Sequence, residues 1–424
     1  MDTFAQKLKM IASDASLRNR VLFVLVALVL FRLLANIPIP AAAGQNLGAL
    51  LANDQALGFL NILTGGGLSA VSIVMLGVGP YITASIIMQL LTMMSPKIKA
   101  MQSDEGELGR RKMTQYSRLL TVPLALMQGY GLIAYLVSKG VLVGLTPFDT
   151  LTNTIIVTAG SMLLMWIGEL ISEFGIGNGV SLIIFAGIVS RIPVVFGEVA
   201  FSPNVAQIPT FIAAFVATML TIIAVVYMTE AERPVPITYA KQIRAGRATG
   251  GGATYLPLRL NQAGVIPIIF ALSILTIPTI VANALATMGN GVVQSIAMFV
   301  QKTLANNWVH GALYFGFVFI FTYFYTAVTF DPEAISNNLQ KNGAFVPGIR
   351  PGASTAEYLS KILGRITLAG AVFLGAIAVL PLVMQNLMSD VPMLAVGGTS
   401  LLIVVSVVID LIKKIDAQIT MREY

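Results

Sequence analysis

Cysteine is absent from the 424 residues. That excludes disulfides, thiol nucleophiles and thiolate metal sites. Histidine occurs once, at His310 beside Trp308, so no histidine cluster can hold a metal. Charge is scarce as well: 11% of the residues are Asp, Glu, Lys or Arg, against about 25% in a typical soluble domain. Neither Gly65–Gly67 nor Gly250–Gly252 leads into Gly-Lys-Ser/Thr, so there is no phosphate-binding loop of the nucleotidase kind. There is no HExxH and no nucleophile elbow. Glu169, Glu173, Glu230, Glu232 and Asp410 gather at the ends of apolar runs, and none falls at the middle of one. Ion-coupled pumps bury such a group at mid-membrane, so this placement weighs against one. No cofactor, metal or catalytic residue is expected.

What the chain does have is apolar length. Hydrophobic residues make up 56% of it, in long uncharged runs without polar faces. That pattern predicts an all-α polytopic membrane protein. About 20 apolar residues cross a bilayer. Ten such spans fall near 21–37, 73–94, 116–137, 151–172, 180–197, 208–229, 263–285, 310–330, 364–386 and 394–412. With the N-terminus inside, the inner segments hold 22 Lys and Arg and the outer segments 3, with Arg32 inside the first span. This asymmetry predicts that both termini are cytoplasmic. Residues 1–20 alternate apolar and basic positions, as an amphipathic segment on an anionic lipid surface would. No small-residue cleavage site follows the first apolar run, so no removable signal peptide is expected.

The chain also echoes itself. Gly77-Val78-Gly79-Pro80-Tyr81-Ile82 shares Gly, Val, Pro and Ile at the same spacing with Gly264-Val265-Ile266-Pro267-Ile268-Ile269, 187 residues later. Ser181-Leu182-Ile183-Ile184 resembles Ser400-Leu401-Leu402-Ile403, each preceded by glycine. Five spans per half is an odd number, so a repeat of the first half must be inverted in the membrane. The predicted architecture is two pseudo-symmetric inverted five-helix halves. Residues 21–200 form the first, with spans 1–5. Residues 201–412 form the second, with spans 6–10, and 413–424 are a cytoplasmic tail.

Between spans 1 and 2 lies a run too short to cross, Leu57 to Thr64, followed by three glycines. Irregular backbone at membrane depth needs protein or a water-filled cavity around it, so a re-entrant half-helix facing a central cavity is expected. Three inner loops are long and charged: 96–115, 231–262 and 331–363. Their basic tips call for an acidic partner such as RNA, an acidic protein surface or lipid headgroups. At the middle of the repeat-related spans stand Ile82, Ile86, Ile184, Ile188, Ile269 and Ile403. If the halves face each other, these six converge on one ring. Branched aliphatic side chains in a ring exclude water and ions until a bulky chain parts them.

Five blocks carry a resemblance over nearly the whole chain: Leu76–Leu91, Gly175–Val189, Asn261–Pro267, Gly343–Gly352 and Gly397–Val404. They resemble the SecY family, channel subunits of the bacterial protein translocase SecYEG. The resemblance implies an hourglass pore between the halves, with the six isoleucines as its ring. It implies a plug at about 55–69, including Leu57, Phe59, Leu60, Ile62, Gly65 and Gly66. It implies a lateral gate between spans 2–3 and 7–8, with Gln89, Gln128 and Asn261 as polar gate positions. Lys241, Arg244, Arg247 and Arg350 are the implied contacts for the SecA ATPase or the ribosome. In the 231–262 loop the run is Gly246-Arg247-Ala248, where the family often has consecutive arginines. Implied partners are SecE and SecG, SecA, the ribosome with its nascent chain, signal peptides, unfolded preproteins, anionic lipids, SecDF and YidC. The expected place is the bacterial inner membrane. The expected role is a passive conduit that passes secretory proteins across and releases membrane helices sideways. Two rivals make other predictions. A small-solute transporter needs a buried acid or an unwound ion site. An insertase scaffold needs no through-pore.

Overall fold

The computed structural model describes residues 13–42, 61, 64, 66–95, 97–98, 101, 106–138, 140–142, 144–190, 193, 197, 208–239, 242–244, 247–249, 253–286, 291–304, 306–387 and 398–423. Among the described residues a helix overlaps each of the ten predicted spans, the one in 180–197 ending at Val189. In the first half these are α1 (Ala15–Ala35), α2 (Gly79–Met94), α3 (Gly106–Ser138), α4 (Pro147–Phe174) and α5 (Gly179–Val189). In the second they are α6 (Ile208–Glu230), α7 (Ile266–Ala286), α9 (Asn307–Thr329), α11 (Ala353–Leu387) and α12 (Gly398–Glu423). Two further helices, α8 (Gly291–Leu304) and α10 (Pro332–Lys341), lie between spans. Among the described residues, four helical stretches are long and apolar enough to cross a membrane: Gly106–Ser138, Pro147–Phe174, Asn307–Lys341 and Ala353–Val383.

Span 2 differs from its predicted bounds. Its helix begins at Gly79 rather than at 73, and residues 66–78 form a chain of tight turns. The reason is local. Gly77 takes a left-handed backbone at φ 58°, and Pro80 sits at the helix start, where its missing N–H costs nothing. The turns are buried, not looped out. Leu68, Val71, Met75 and Leu76 pack with Ile39 and with Leu132, Leu136 and Val157 of α3 and α4. Ile39 N–H donates to the Val71 carbonyl at 2.9 Å, and Ile73 N–H to the Ile37 carbonyl at 2.9 Å. Ser161 Oγ donates to the Gly77 carbonyl at 2.8 Å. The turn chain lies so close to α4 that a Cβ at Gly160 would collide with the Ile73 carbonyl.

The repeat is visible in the backbone. Gly264 matches Gly77 with φ 62°, and α7 begins two residues after it, as α2 does. Ile82 and Ile269 are each the fourth residue of their helix, and each donates its N–H to the equivalent carbonyl, of Val78 at 3.1 Å and Val265 at 3.3 Å. Ser181 and Ser400 are each the third residue of α5 and α12, which puts Ile184 and Ile403 at the sixth. The halves meet along two lines: α7 packs against α2 and α3, and α12 packs against α5.

Two of the charged inner loops are not loose. Strands β1 (Glu232–Tyr239), β4 (Ala253–Arg259) and β5 (Ala344–Phe345) form one antiparallel sheet in the order β4-β1-β5. It joins the loop after α6 to the loop after α9. Val235, Leu258 and Val346 bury against Leu359 and Ile362 of α11 beneath it. Strands β2 (Gln242–Arg244) and β3 (Arg247–Thr249) make a separate hairpin.

Candidate channel constriction and its polar funnel

The repeat-related isoleucines come together. Ile184, Ile188 and Ile403 are 2%, 1% and 2% exposed and share one apolar cluster, with Ile82 and Ile269 packed on it. Ile86, 3% exposed, belongs to the adjoining cluster of the second half, where Ile82 packs as well. Ile82 therefore bridges the two. Helix register explains the gathering. Ile82, Ile184, Ile269 and Ile403 stand within the first two turns of α2, α5, α7 and α12, and Ile86 and Ile188 lie one turn further along α2 and α5.

Above this knot opens a cavity of about 600 Å³. Its floor is Ile184, Ile269 and Ile403, and its walls carry Asn178, Ser181, Asn261, Gln262 and Ser406. At its rim stand Arg259, Asp410, Lys413 and Lys414. Polarity thus falls from charged rim through amide wall to aliphatic floor. The rim is braced by ion pairs: Lys413 Nζ to Glu230 Oε1 at 2.9 Å ties α12 to α6, and Lys414 Nζ meets Asp410 Oδ2 at 2.9 Å.

Of the expected gate positions, Gln89 and Gln128 lie on α2 and α3, the helices that pack against α7, and Asn261 lies just before α7. Gln89 is half-buried on α2, and its Oε1 is enclosed with no hydrogen-bond partner among the described residues. Asn261 precedes α7, is buried, and has its Oδ1 in the same condition. Gln128 is half-buried on α3.

Of the expected plug residues, Gly66 is described; Leu57, Phe59, Leu60, Ile62 and Gly65 lie outside the described residues. Gly66 N–H donates to the Asn61 carbonyl at 2.8 Å, and Asn61 Oδ1 accepts from Ser69 N–H at 2.9 Å. Of the expected cytoplasmic contacts, Lys241 lies outside the described residues. Arg244 and Arg247 are backbone register partners, the pair nearest the turn of the β2–β3 hairpin. Arg350 is exposed. Its carbonyl accepts from Thr355 Oγ1 at 2.9 Å, and Ser336 Oγ donates to the Gly352 carbonyl at 2.7 Å, so α10 and α11 hold this tip in place.

Sequence reading missed three features. Arg118 looks like a topology charge at a helix end, yet its Nε contacts Glu169 Oε1 at 2.8 Å, across α3 and α4. A separation of 51 residues carries no signal for that pair. The β1–β5 pairing likewise joins distant loops. Helix α8 was legible in principle, as apolar residues at Ile296, Ala297, Val300 and Leu304 keep a helical spacing opposite Gln294, Gln301 and Lys302.

An inverted repeat, a buried aliphatic knot and a polar funnel define a polytopic helical membrane channel. The SecY family profile matches residues 72–412. Curated relatives carry the description "Protein translocase subunit SecY". One from Synechocystis sp. is 40% identical over 429 residues, covering 100% of this chain and 96% of that protein. One from Mycobacterium tuberculosis is 39% identical over 428 residues, covering 96% of each. Among solved structures, one described as "The structure of a protein conducting channel" shares the fold at TM-score 0.65 and 20% identity, over 98% of this chain and 96% of that one. Another, described as "Sec61 in the Canine ribosome-channel complex from the endoplasmic reticulum", does so at TM-score 0.64 and 21% identity, over the same shares. The chain belongs to the SecY family, and it is a channel subunit of the protein translocon rather than an enzyme.

Proposed function

We propose that this chain carries unfolded secretory proteins across the bacterial inner membrane through the isoleucine knot, and releases membrane-protein helices sideways between α2–α3 and α7–α9. The observation that carries the reading is the convergence of Ile82, Ile184, Ile188, Ile269 and Ile403 beneath one funnel. At rest the six isoleucines exclude water. A hydrophobic signal peptide competes for the apolar face of α2 around Met88 and Met94, and the seam marked by Gln89, Gln128 and Asn261 yields. The plug at 55–69 leaves, and the ring closes on the moving chain. The N-terminal half (21–200) and C-terminal half (201–412) move apart about the α5–α12 contact. Residues 1–20 and 413–424 remain in the cytoplasm, the first against anionic lipid.

A passive pore needs a push. In this reading it comes from SecA or from a ribosome, seated on Lys241, Arg244, Arg247 and Arg350, with SecE and SecG as partner subunits and SecDF and YidC as later contacts. The test is reconstitution of the purified chain with those subunits in liposomes. Protease protection of a preprotein that depends on added SecA and ATP supports the reading. Uptake of a small solute by the chain alone would favour a transporter instead.

A further inference from the structure

The sheet beside the funnel carries proline where its backbone faces outward. Pro234 of β1 stands directly opposite Pro257 of β4. Neither has an N–H, so this pair cannot exchange backbone hydrogen bonds. The alternation of an antiparallel ladder then sets every other position. Arg233 with Leu258, Val235 with Leu256 and Ile237 with Thr254 bond one another. Just past the strands, Leu260 N–H donates to the Ala231 carbonyl at 2.8 Å, in the same phase. The peptide groups of Glu232, Pro234, Pro236 and Thr238 therefore point away from β4. Those of Ala253, Tyr255, Pro257 and Arg259 point away from β1.

These outward groups form two edges. Along β1, β5 pairs with Thr238 and Tyr239, and the outward positions next to them are Pro236 and Pro234. Along β4, no further strand pairs among the described residues, and Pro257 interrupts the row of outward donors. All three prolines are exposed. Pro257 and Arg259 also line the funnel. An uncapped strand edge captures extended chains by strand addition, and proline on the edge is one way to prevent it.

On the reading that unfolded polypeptide enters through this funnel, we propose that Pro234, Pro236 and Pro257 keep the sheet from adding the passing chain as an extra strand. Every client, whatever its sequence, arrives as an extended backbone with free N–H and C=O groups. A seven-residue edge at the entrance would hold such a backbone in register and stall it. With Pro257 in place the outward donors of β4 are Ala253 and Tyr255, a gap, then Arg259. With Pro234 and Pro236 in place, β1 offers no outward donor between Glu232 and Thr238. The prolines act as specificity determinants by making the mouth indifferent to β-forming sequence.

The test uses the full complex carrying Pro257→Val, which restores the donor with a strand-favouring residue, and separately Pro257→Ala, which restores it without the branch. Two preproteins of equal length and charge are compared. One has a Val/Thr-rich mature region, and the other has proline at alternate positions of that region, so that it cannot pair. Pro257→Val should slow the first by about tenfold, the worth of one or two net hydrogen bonds, and leave the second at the wild-type rate. Pro257→Ala should show the same preference with a smaller ratio. Equal rates for both clients in the variants overturn the proposal, whether those rates are wild-type or uniformly reduced; a uniform reduction marks a damaged fold. A wild-type complex that moves neither client removes the channel reading, and this inference with it.

Discussion

Replacing Ile403 with Asn probes the knot where the funnel meets it. The side chain is 2% exposed and packs with Ile184, Ile188 and Leu182. Truncating a buried isoleucine costs about 2–5 kcal/mol through lost packing and the space left behind. Burying an amide without a partner adds about 1–3 kcal/mol on mutational scales. The second cost can be relieved here, because Ile403 also lines the 600 Å³ funnel and water can follow the amide in. Relief comes at the expense of a wet floor. Taking the lower end of the packing cost, the closed state loses about 2–3 kcal/mol, or about 30- to 150-fold in the closed-to-open ratio at 1.4 kcal/mol per decade. Single-channel recording of the complex in planar bilayers should register this as a raised resting conductance. Translocation of preproteins with weakened signal peptides should rise in parallel. A resting conductance indistinguishable from wild type would refute the reasoning, since a polar group would then sit in the seal without opening it.

Three other substitutions have expected outcomes. Gly160→Ala drives a Cβ into the Ile73 carbonyl and should destabilise the fold by about 1–3 kcal/mol, read as a lowered midpoint in thermal unfolding in detergent. Ser72→Ala removes a fully buried hydroxyl that has no hydrogen-bond partner among the described residues. It should stabilise the turns of residues 66–78 by about 1 kcal/mol, read as a higher melting midpoint and a lower resting ion leak. Arg350→Glu reverses an exposed charge whose loop is held by backbone contacts. It should cut SecA-driven transport by at least about tenfold, a contact loss of about 1.4 kcal/mol, while thermal unfolding and resting conductance stay as in the wild type.

The lines legible in the sequence are those with a local physical cause. Apolar length set the helices, and the lopsided Lys and Arg count set their predicted orientation. The Gly-Val-x-Pro echo is legible because it encodes a backbone event: Gly77 and Gly264 both turn left-handed, and each is followed by a helix that opens with proline at its second position. That event fixes the register of Ile82 and Ile269, which is why a sequence echo could pick the members of the knot. Hydropathy puts the start of α2 six residues early because Ile73 to Leu76 is as apolar as the helix that follows. Hydropathy does not distinguish a buried chain of turns from a helix. Arg118 with Glu169, and β1 with β5, depend on how elements pack, and their spacing along the chain says nothing of it. The funnel is likewise a property of assembly. Asn261, Ser406 and Arg259 are unremarkable until α7, α12 and β4 bring them around one space.

The central claim is that polypeptide passes through the aliphatic knot. Its most direct measurement is site-specific crosslinking of a stalled nascent chain, in a protein whose lack of native cysteine leaves no background. Single cysteines are placed at Ile82 and Ile269, one from each half, and at Leu33, which α1 turns outward with 64% exposure. The account predicts adducts at Ile82 and Ile269 from the same stretch of the client, and none at Leu33. Adducts at Leu33 without any at the two isoleucines would contradict it.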